Sequence, residues 1–104
     1  MAKAVMTIEL HGVRAKVART LCERMRGLIG SPPPPLGEGL LIEKCNAIHT
    51  LFMQYPITAV FLDKRREVVK IVRDIKPWRL FVWGGWRARS VLELSIGTPL
   101  RFAR

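Results

Sequence analysis

The stretch from Ile57 to Leu62 most constrains how this chain can fold. Its six residues, Ile-Thr-Ala-Val-Phe-Leu, are apolar apart from Thr58. Successive side chains of a strand point to opposite faces of a sheet, so a strand of this composition needs apolar cover on both faces. We therefore predict a central strand, joined by a charged turn at residues 63–66 to a second strand over residues 68–72.

Shorter patterns predict the elements around this strand. Apolar and polar residues alternate over 6–10 and 13–17, and His11-Gly12 between them favours a hairpin turn. Thr20 and Glu23 match a capping box, and apolar residues at helical spacing follow, which predicts one short helix near residues 20–29. Four consecutive prolines then predict a stiff loop. Further strands are expected at residues 40–42, 91–94 and 100–102.

These elements together predict a fold class. A chain of 104 residues fits one domain, over residues 1–104. About seven strands and one helix favour a small, mainly antiparallel β sandwich or partly closed barrel, with the helix over one opening. The N-terminus lacks the apolar core of a signal peptide, and no apolar run is long enough to span a membrane, so a cytoplasmic protein with free thiols is expected.

The segment from Cys45 to Met53 holds one of two cysteines and one of two histidines. Cys45 and His49 are four residues apart and share a face of either a helix or a strand, as a nucleophile and its base could. No carboxylate lies within five residues of His49, which leaves Glu9, Glu23 and Glu93 as distant partners. The alternative is that Cys45 and His49 are packed residues without catalytic chemistry.

A metal site is a further possibility for the same residue types. Cys22, Cys45, His11 and His49 could in principle surround a zinc ion, but the chain has none of the closely spaced ligand pairs of a zinc ribbon. We therefore predict neither a metal nor a cofactor.

A small-molecule pocket around His49 is the preferred functional hypothesis. Its polar groups would fix a ligand, and its apolar and aromatic groups would form the walls. The predicted ligand-binding residues are Asn46, His49, Thr50, Phe52, Met53 and Trp78. The protein would then act as a binding or accessory module, with a small molecule or a protein as its partner.

Nucleic-acid binding is the alternative, because 18 Lys and Arg stand against 8 Asp and Glu, a net charge of +10. Cations and rings interleave in one segment, as they do in proteins that bind single strands. The residues concerned are Lys76, Arg79, Trp83, Trp86, Arg87 and Arg89. Another interpretation is that Trp78 and one further Trp lie in the core. Trp83 and Trp86 would face opposite ways in an extended chain, so at least one should be exposed.

Several motifs together resemble the DUF192 family, a bacterial and archaeal family of unknown function. The resemblance covers nearly the whole chain. It rests on Arg19-Thr20 with Glu23-Arg24, on Gly39-Leu40-Leu41, on Cys45-Asn46 with Ile48-His49-Thr50 and Phe52-Met53, on Lys76-Pro77-Trp78-Arg79, and on residues 88–94. It implies a mostly β domain with one helix, and it implies no activity, substrate or catalytic residue.

Overall fold

The computed structural model describes residues 6–101, and within that range the chain forms eight strands and one helix. Most of the sequence predictions are confirmed in their order and type. The elements are β1 (Thr7–Leu10), β2 (Val13–Ala18), α1 (Leu21–Arg26), β3 (Glu38–Glu43), β4 (Ala47–Ile48), β5 (Ile57–Leu62), β6 (Val68–Ile75), β7 (Val82–Trp83) and β8 (Ser90–Ser95). No helix in this range is long and apolar enough to cross a membrane.

Six strands form one sheet in the order β1-β2-β3-β8-β5-β6, and β4 pairs with β7 in a separate two-stranded ribbon. The sheet is mixed, because β2 and β3 run parallel whereas the other neighbouring pairs are antiparallel. The expectation of a mainly antiparallel architecture is correct, but it missed this parallel pair. The physical reason is the connection: α1 and the proline loop supply the crossover that parallel neighbours need.

The helix begins as the sequence predicts and ends earlier. The Thr20 side chain accepts from the Glu23 amide and the Glu23 side chain accepts from the Thr20 amide, so the capping box is confirmed. The helix ends at Arg26 because Gly27 turns the backbone to a φ of 54°, a conformation that glycine tolerates readily. Residues 27–30 are turns rather than the helical continuation that the apolar spacing indicated.

Apolar side chains pack on both faces of the sheet. All six residues of β5 are buried, as predicted for a doubly covered strand. On one face, Phe61 and Val91 belong to a cluster that is covered by the region around α1 and by the ribbon. On the other face, Val60 and Leu92 belong to a second cluster. Side chains of the two edge strands, β1 and β6, pack against that second cluster.

The sheet does not close into a barrel. β1 and β6 are its edges, and one contact between them is made by turns: Nε2 of His11 lies 2.8 Å from the carbonyl oxygen of Arg66. Leu100 packs half-buried against the second cluster without joining a strand. The last predicted strand is therefore wrong at Leu100, and Phe102 lies outside the described residues.

Candidate functional site

A concave pocket of about 340 Å³ lies between the end of α1, the end of β3 and β4. Leu28, Ile42, Ile48 and Met53 contribute apolar walls from four separate segments. Three cations also line it, namely Arg24, Arg26 and Lys44. The pocket therefore combines an apolar interior with positive charge, and we refer to it as the Glu93 pocket after its one carboxyl group.

Glu93 lies on β8 in an otherwise apolar run and points towards the same face of the sheet as Val91. It is 4% exposed, and its Oε1 atom has no hydrogen-bond partner among the described residues. Burial raises the pKa of Glu93 to about 7, opposed by a hydrogen bond from the Leu28 amide. Near neutral pH the group therefore exists both as a carboxylic acid, which can donate a hydrogen bond, and as a carboxylate.

Gly27 makes room for this carboxyl group. A Cβ atom at position 27 would lie 3.0 Å from Oε1 of Glu93, closer than side-chain contacts normally come. The residue that ends α1 thus also allows Glu93 to fit beneath the end of the helix.

Cys45 and His49 both line the Glu93 pocket, but they differ in solvent exposure and in their hydrogen bonds. The half-buried Cys45 Sγ donates to the carbonyl oxygen of Ala47 at 2.9 Å, and burial raises the pKa of its thiol, with Glu93 adding to the increase. A thiol with a raised pKa is a poor nucleophile at neutral pH. His49 is exposed, and its Nδ1 accepts from the Leu51 amide at 3.2 Å.

The hypothetical zinc ligands are spread over the fold. Cys22 is exposed on α1, whereas His11 lies in the β1–β2 turn. Across residues 6–101 no three His, Cys, Asp or Glu side chains come together as metal ligands.

Thr50 joins the loop that follows β4 to the loop that precedes β7. It is fully buried; its hydroxyl donates to the carbonyl oxygen of Lys76 at 2.7 Å and accepts from the Arg79 amide at 2.9 Å. Its backbone also bonds to Arg79 and Trp78. These bonds use the hydrogen-bonding capacity of the side chain to hold two loops together.

The other predicted ligand-binding residues divide between the pocket and the outer surface. Met53 is buried and lines the Glu93 pocket with His49. Asn46 is exposed, and its backbone oxygen accepts from the Gly84 amide. Phe52 and Trp78 are 63% and 60% exposed and meet edge to face with ring centroids 5.0 Å apart. Neither ring lines the Glu93 pocket.

The tryptophan segment is more exposed than the interpretation that places two tryptophans in the core. None of the three tryptophans is buried, so the interpretation that Trp78 and one other lie in the core is wrong. Trp83 and Trp86 do not face apart: they meet edge to face at 5.0 Å, because the chain leaves the extended conformation between them, with Gly85 at a φ of 98°. We call the exposed apolar side chains of these loops the aromatic face. It comprises Phe52, Trp78, Leu80, Phe81, Trp83 and Trp86.

The predicted nucleic-acid-binding cations do not all have free head groups. Lys76 and Arg79 are exposed beside the aromatic face. Arg87 lies 3.6 Å from an oxygen of Asp63, and Arg89 donates to the carbonyl oxygens of Trp86 and Ala88. Lys70, which sequence reasoning did not select, donates to the carbonyl oxygen of Trp83 at 2.8 Å.

Sequence reasoning considered Glu93 only as a distant partner of His49 and missed the three cations of the pocket. A signal for Glu93 was present, because a carboxylate inside Val91-Leu92-Glu93-Leu94 is costly to bury and calls for an explanation. Arg24, Arg26 and Lys44 gave no such signal in a chain with so many cations.

The strand order and the one short helix define a small, mostly β protein, and its pocket has no assigned chemistry. The family model of DUF192, described as uncharacterized ACR, matches residues 4–102, and the chain belongs to this family. It is 36% identical over 88 residues to a UPF0127 protein of Thermococcus sibiricus. That match covers 81% of this chain and 56% of the relative, so the chain spans little more than half of that protein.

Two crystal structures share the fold at 18% sequence identity. A protein of unknown function from Novosphingobium aromaticivorans matches with a TM-score of 0.72, over 92% of this chain and 84% of its own. A candidate transcription regulator from Sinorhizobium meliloti matches with a TM-score of 0.75, over 83% and 70% respectively. At this identity the likeness concerns the fold alone.

Proposed function

We propose that the Glu93 pocket binds a small organic molecule with an apolar body and an anionic group. The observation that carries this proposal is the Oε1 atom of Glu93, buried in a concave site without a hydrogen-bond partner among the described residues. An unpaired buried polar atom costs about 1–3 kcal/mol, and a ligand group would recover that energy.

The residues around the pocket suggest the ligand's chemistry. Its apolar body would contact Leu28, Ile48 and Met53, which favour burial of hydrocarbon. Its anionic group would meet Arg24 and Arg26 near the end of α1. A carboxylate, phosphate or sulfonate would satisfy these cations, while a donor or acceptor elsewhere on the molecule would pair with Glu93.

Binding is favoured over nucleophilic catalysis by the state of Cys45. Its thiol donates to a backbone carbonyl and has a raised pKa, whereas a catalytic cysteine needs thiolate character. His49 would serve this binding site as a polar group at the pocket wall, reached from solvent.

The test is a titration with 3-phenylpropionate and, as its matched neutral partner, 3-phenylpropanamide. Amide NMR signals of Gly27, Leu28 and Glu93 should shift with the acid, and signals of the distant strand β1 should not. We expect the acid to bind about tenfold more tightly than the amide, since one ion pair in a partly buried site supplies roughly that factor.

Two double variants separate the pocket cations from overall charge. Arg24→Gln/Arg26→Gln should remove the preference for the acid, whereas Arg14→Gln/Lys16→Gln, which removes the same charge from exposed positions of β2, should keep it. Absence of localised shifts with both probes, or an equal response of the two double variants, would refute the proposal.

A further inference from the structure

The aromatic face is an exposed apolar surface built from three loops and β7. Phe52 contacts Trp78, residues 78–81 are four consecutive exposed residues, and Trp83 contacts Trp86. Phe81 and Trp83 lie on either side of the buried Val82 and so point outwards together. Leu80 and Trp86 are 77% and 84% exposed. Six large apolar side chains exposed on neighbouring parts of the fold indicate a contact surface.

The backbone is strained where this surface is presented. Phe52 and Trp78 have φ angles of 65° and 69°, in the left-handed region that bulky residues rarely adopt. The buried Thr50 holds both loops there, because its carbonyl oxygen accepts from the Trp78 and Met53 amides. A conformation that costs about 1–3 kcal/mol per residue and keeps two rings in solvent points to a use for their exposure.

The charge of the region complements an anionic surface. Residues 74–92 contain four cations and one carboxylate, Asp74. Lys76 and Arg79 flank the aromatic face as exposed side chains, and the chain of Lys70 lies against the backbone of Trp83. Cations around exposed tryptophan and leucine are the combination that binds the boundary between anionic headgroups and acyl chains.

We propose that the aromatic face docks this protein onto the surface of an anionic lipid bilayer, with residues 78–81 entering the headgroup region. The protein would bind the bilayer as a peripheral membrane protein. The aromatic face is separate from the Glu93 pocket, because none of its six side chains lines that pocket. Trp78, Phe81 and Trp86 lie at headgroup level, Leu80 reaches towards the acyl chains, and Lys76 and Arg79 contact lipid phosphates.

The shape of the aromatic face favours lipid over single-stranded nucleic acid. Trp83 and Trp86 meet at 88°, and Phe52 and Trp78 at 61°, so neither pair forms a parallel slot for a base. None of five concave sites along the described chain is lined by any of the six side chains. Projecting side chains with an aliphatic tip suit a soft interface better than they suit base stacking.

The experiment is co-sedimentation of the full chain with phosphatidylcholine vesicles that contain phosphatidylglycerol, compared with vesicles of phosphatidylcholine alone. We expect binding to the anionic vesicles, a blue shift of tryptophan emission on binding, and weakening with added salt. Leu80→Ser/Phe81→Ser should lower the partition coefficient by at least about tenfold, because two buried apolar side chains are lost.

Two control variants test whether the loss of binding is specific to the aromatic face. Leu36→Ser/Ile96→Ser removes two apolar side chains that are also exposed but lie outside the aromatic face, and it should bind like the parent chain. Lys76→Gln/Arg79→Gln should weaken binding more than Arg14→Gln/Lys16→Gln, which removes the same charge from β2. All substituted side chains are exposed, and far-ultraviolet circular dichroism checks that each variant folds.

Three results would overturn the proposal. One is no binding to anionic vesicles at low salt. Another is equal binding by Leu80→Ser/Phe81→Ser and its control. The third is tight binding of an oligothymidylate, lost in Leu80→Ser/Phe81→Ser, without any vesicle binding, which would assign the aromatic face to nucleic acid.

Discussion

The six-stranded sheet and the β4–β7 ribbon differ in the extent of their strand pairing and in the side chains that they bury. Neighbouring strands of the sheet pair over four to six residues and bury apolar side chains on both faces, whereas the ribbon pairs only two residues on each strand. Loops next to the ribbon hold Phe52 and Trp78 at positive φ and leave them exposed. The difference indicates that the sheet supplies stability, while the loops beside the ribbon supply the aromatic face. Glu93 is the exception, since it extends from the sheet into the pocket.

The contact between ribbon and sheet should be the most sensitive point of this division. A Cβ atom at Gly84 would overlap the ring of Phe61, which is fully buried on β5. Gly84→Ala should therefore lower the free energy of unfolding by about 3 kcal/mol, measured by urea denaturation.

Phe61→Leu gives the control for this overlap. The double variant Gly84→Ala/Phe61→Leu should lose less free energy of unfolding than the two single variants lose together, because the smaller side chain leaves room for the new methyl group. Strictly additive effects would mean that the ribbon is not held against the sheet at Gly84.

Glu93 should make stability depend on pH in a direction unusual for a carboxyl group. Below its ordinary pKa of 4.5 both folded and unfolded states are protonated. Between 4.5 and about 7 only the folded state keeps the proton, so the free energy of unfolding falls by about 3 kcal/mol and then levels off. Urea denaturation across this pH range measures the fall.

Glu93→Gln should remove this contribution, so the variant should be more stable than the parent above neutral pH and show a flatter profile. Glu9→Gln, on the exposed side of β1, should keep the parent's profile. Parallel profiles for the parent and Glu93→Gln would show that the carboxyl group is not buried.

Thr50 should give the next largest effect. Thr50→Val keeps the shape but leaves the Lys76 carbonyl and the Arg79 amide without this partner, which should cost about 2 kcal/mol. Thr50→Ser keeps the hydroxyl and should cost less. If urea denaturation gave equal losses for the two variants, the hydroxyl would not be what joins the loops.

Trp86→Ala should give the smallest effect. The side chain is 84% exposed and contacts Trp83 at its edge, so the free energy of unfolding should change by less than about 0.5 kcal/mol. A loss above 2 kcal/mol in urea denaturation would mean that the aromatic face contributes to the core, against the division drawn above.

Local sequence patterns predicted the sheet well. The two-sided apolar run gave β5, and the capping box gave the start of α1, because both depend on neighbours along the chain. The parallel β2–β3 pair and the early helix end depend on tertiary contacts and on the conformation of Gly27, which apolar spacing does not report.

The candidate site was only partly predictable. His49 and Met53 were selected from a polar cluster in an apolar segment, and both line the pocket. Glu93 reaches the same place from a strand about forty residues further along the chain, and only the register of β8 beside β3 and β5 brings it there. Long-range pairing of this kind leaves no local pattern in the sequence.

The most direct test of the central claim is a carbon-13 NMR titration of the Glu93 carboxyl group, with and without 3-phenylpropionate. A buried acid with one unpaired oxygen in a ligand pocket should titrate near pH 7 in the free protein, and its pKa should rise when the bound anion lies nearby and excludes water. Titration near 4.5, unchanged by the probe, would contradict the account.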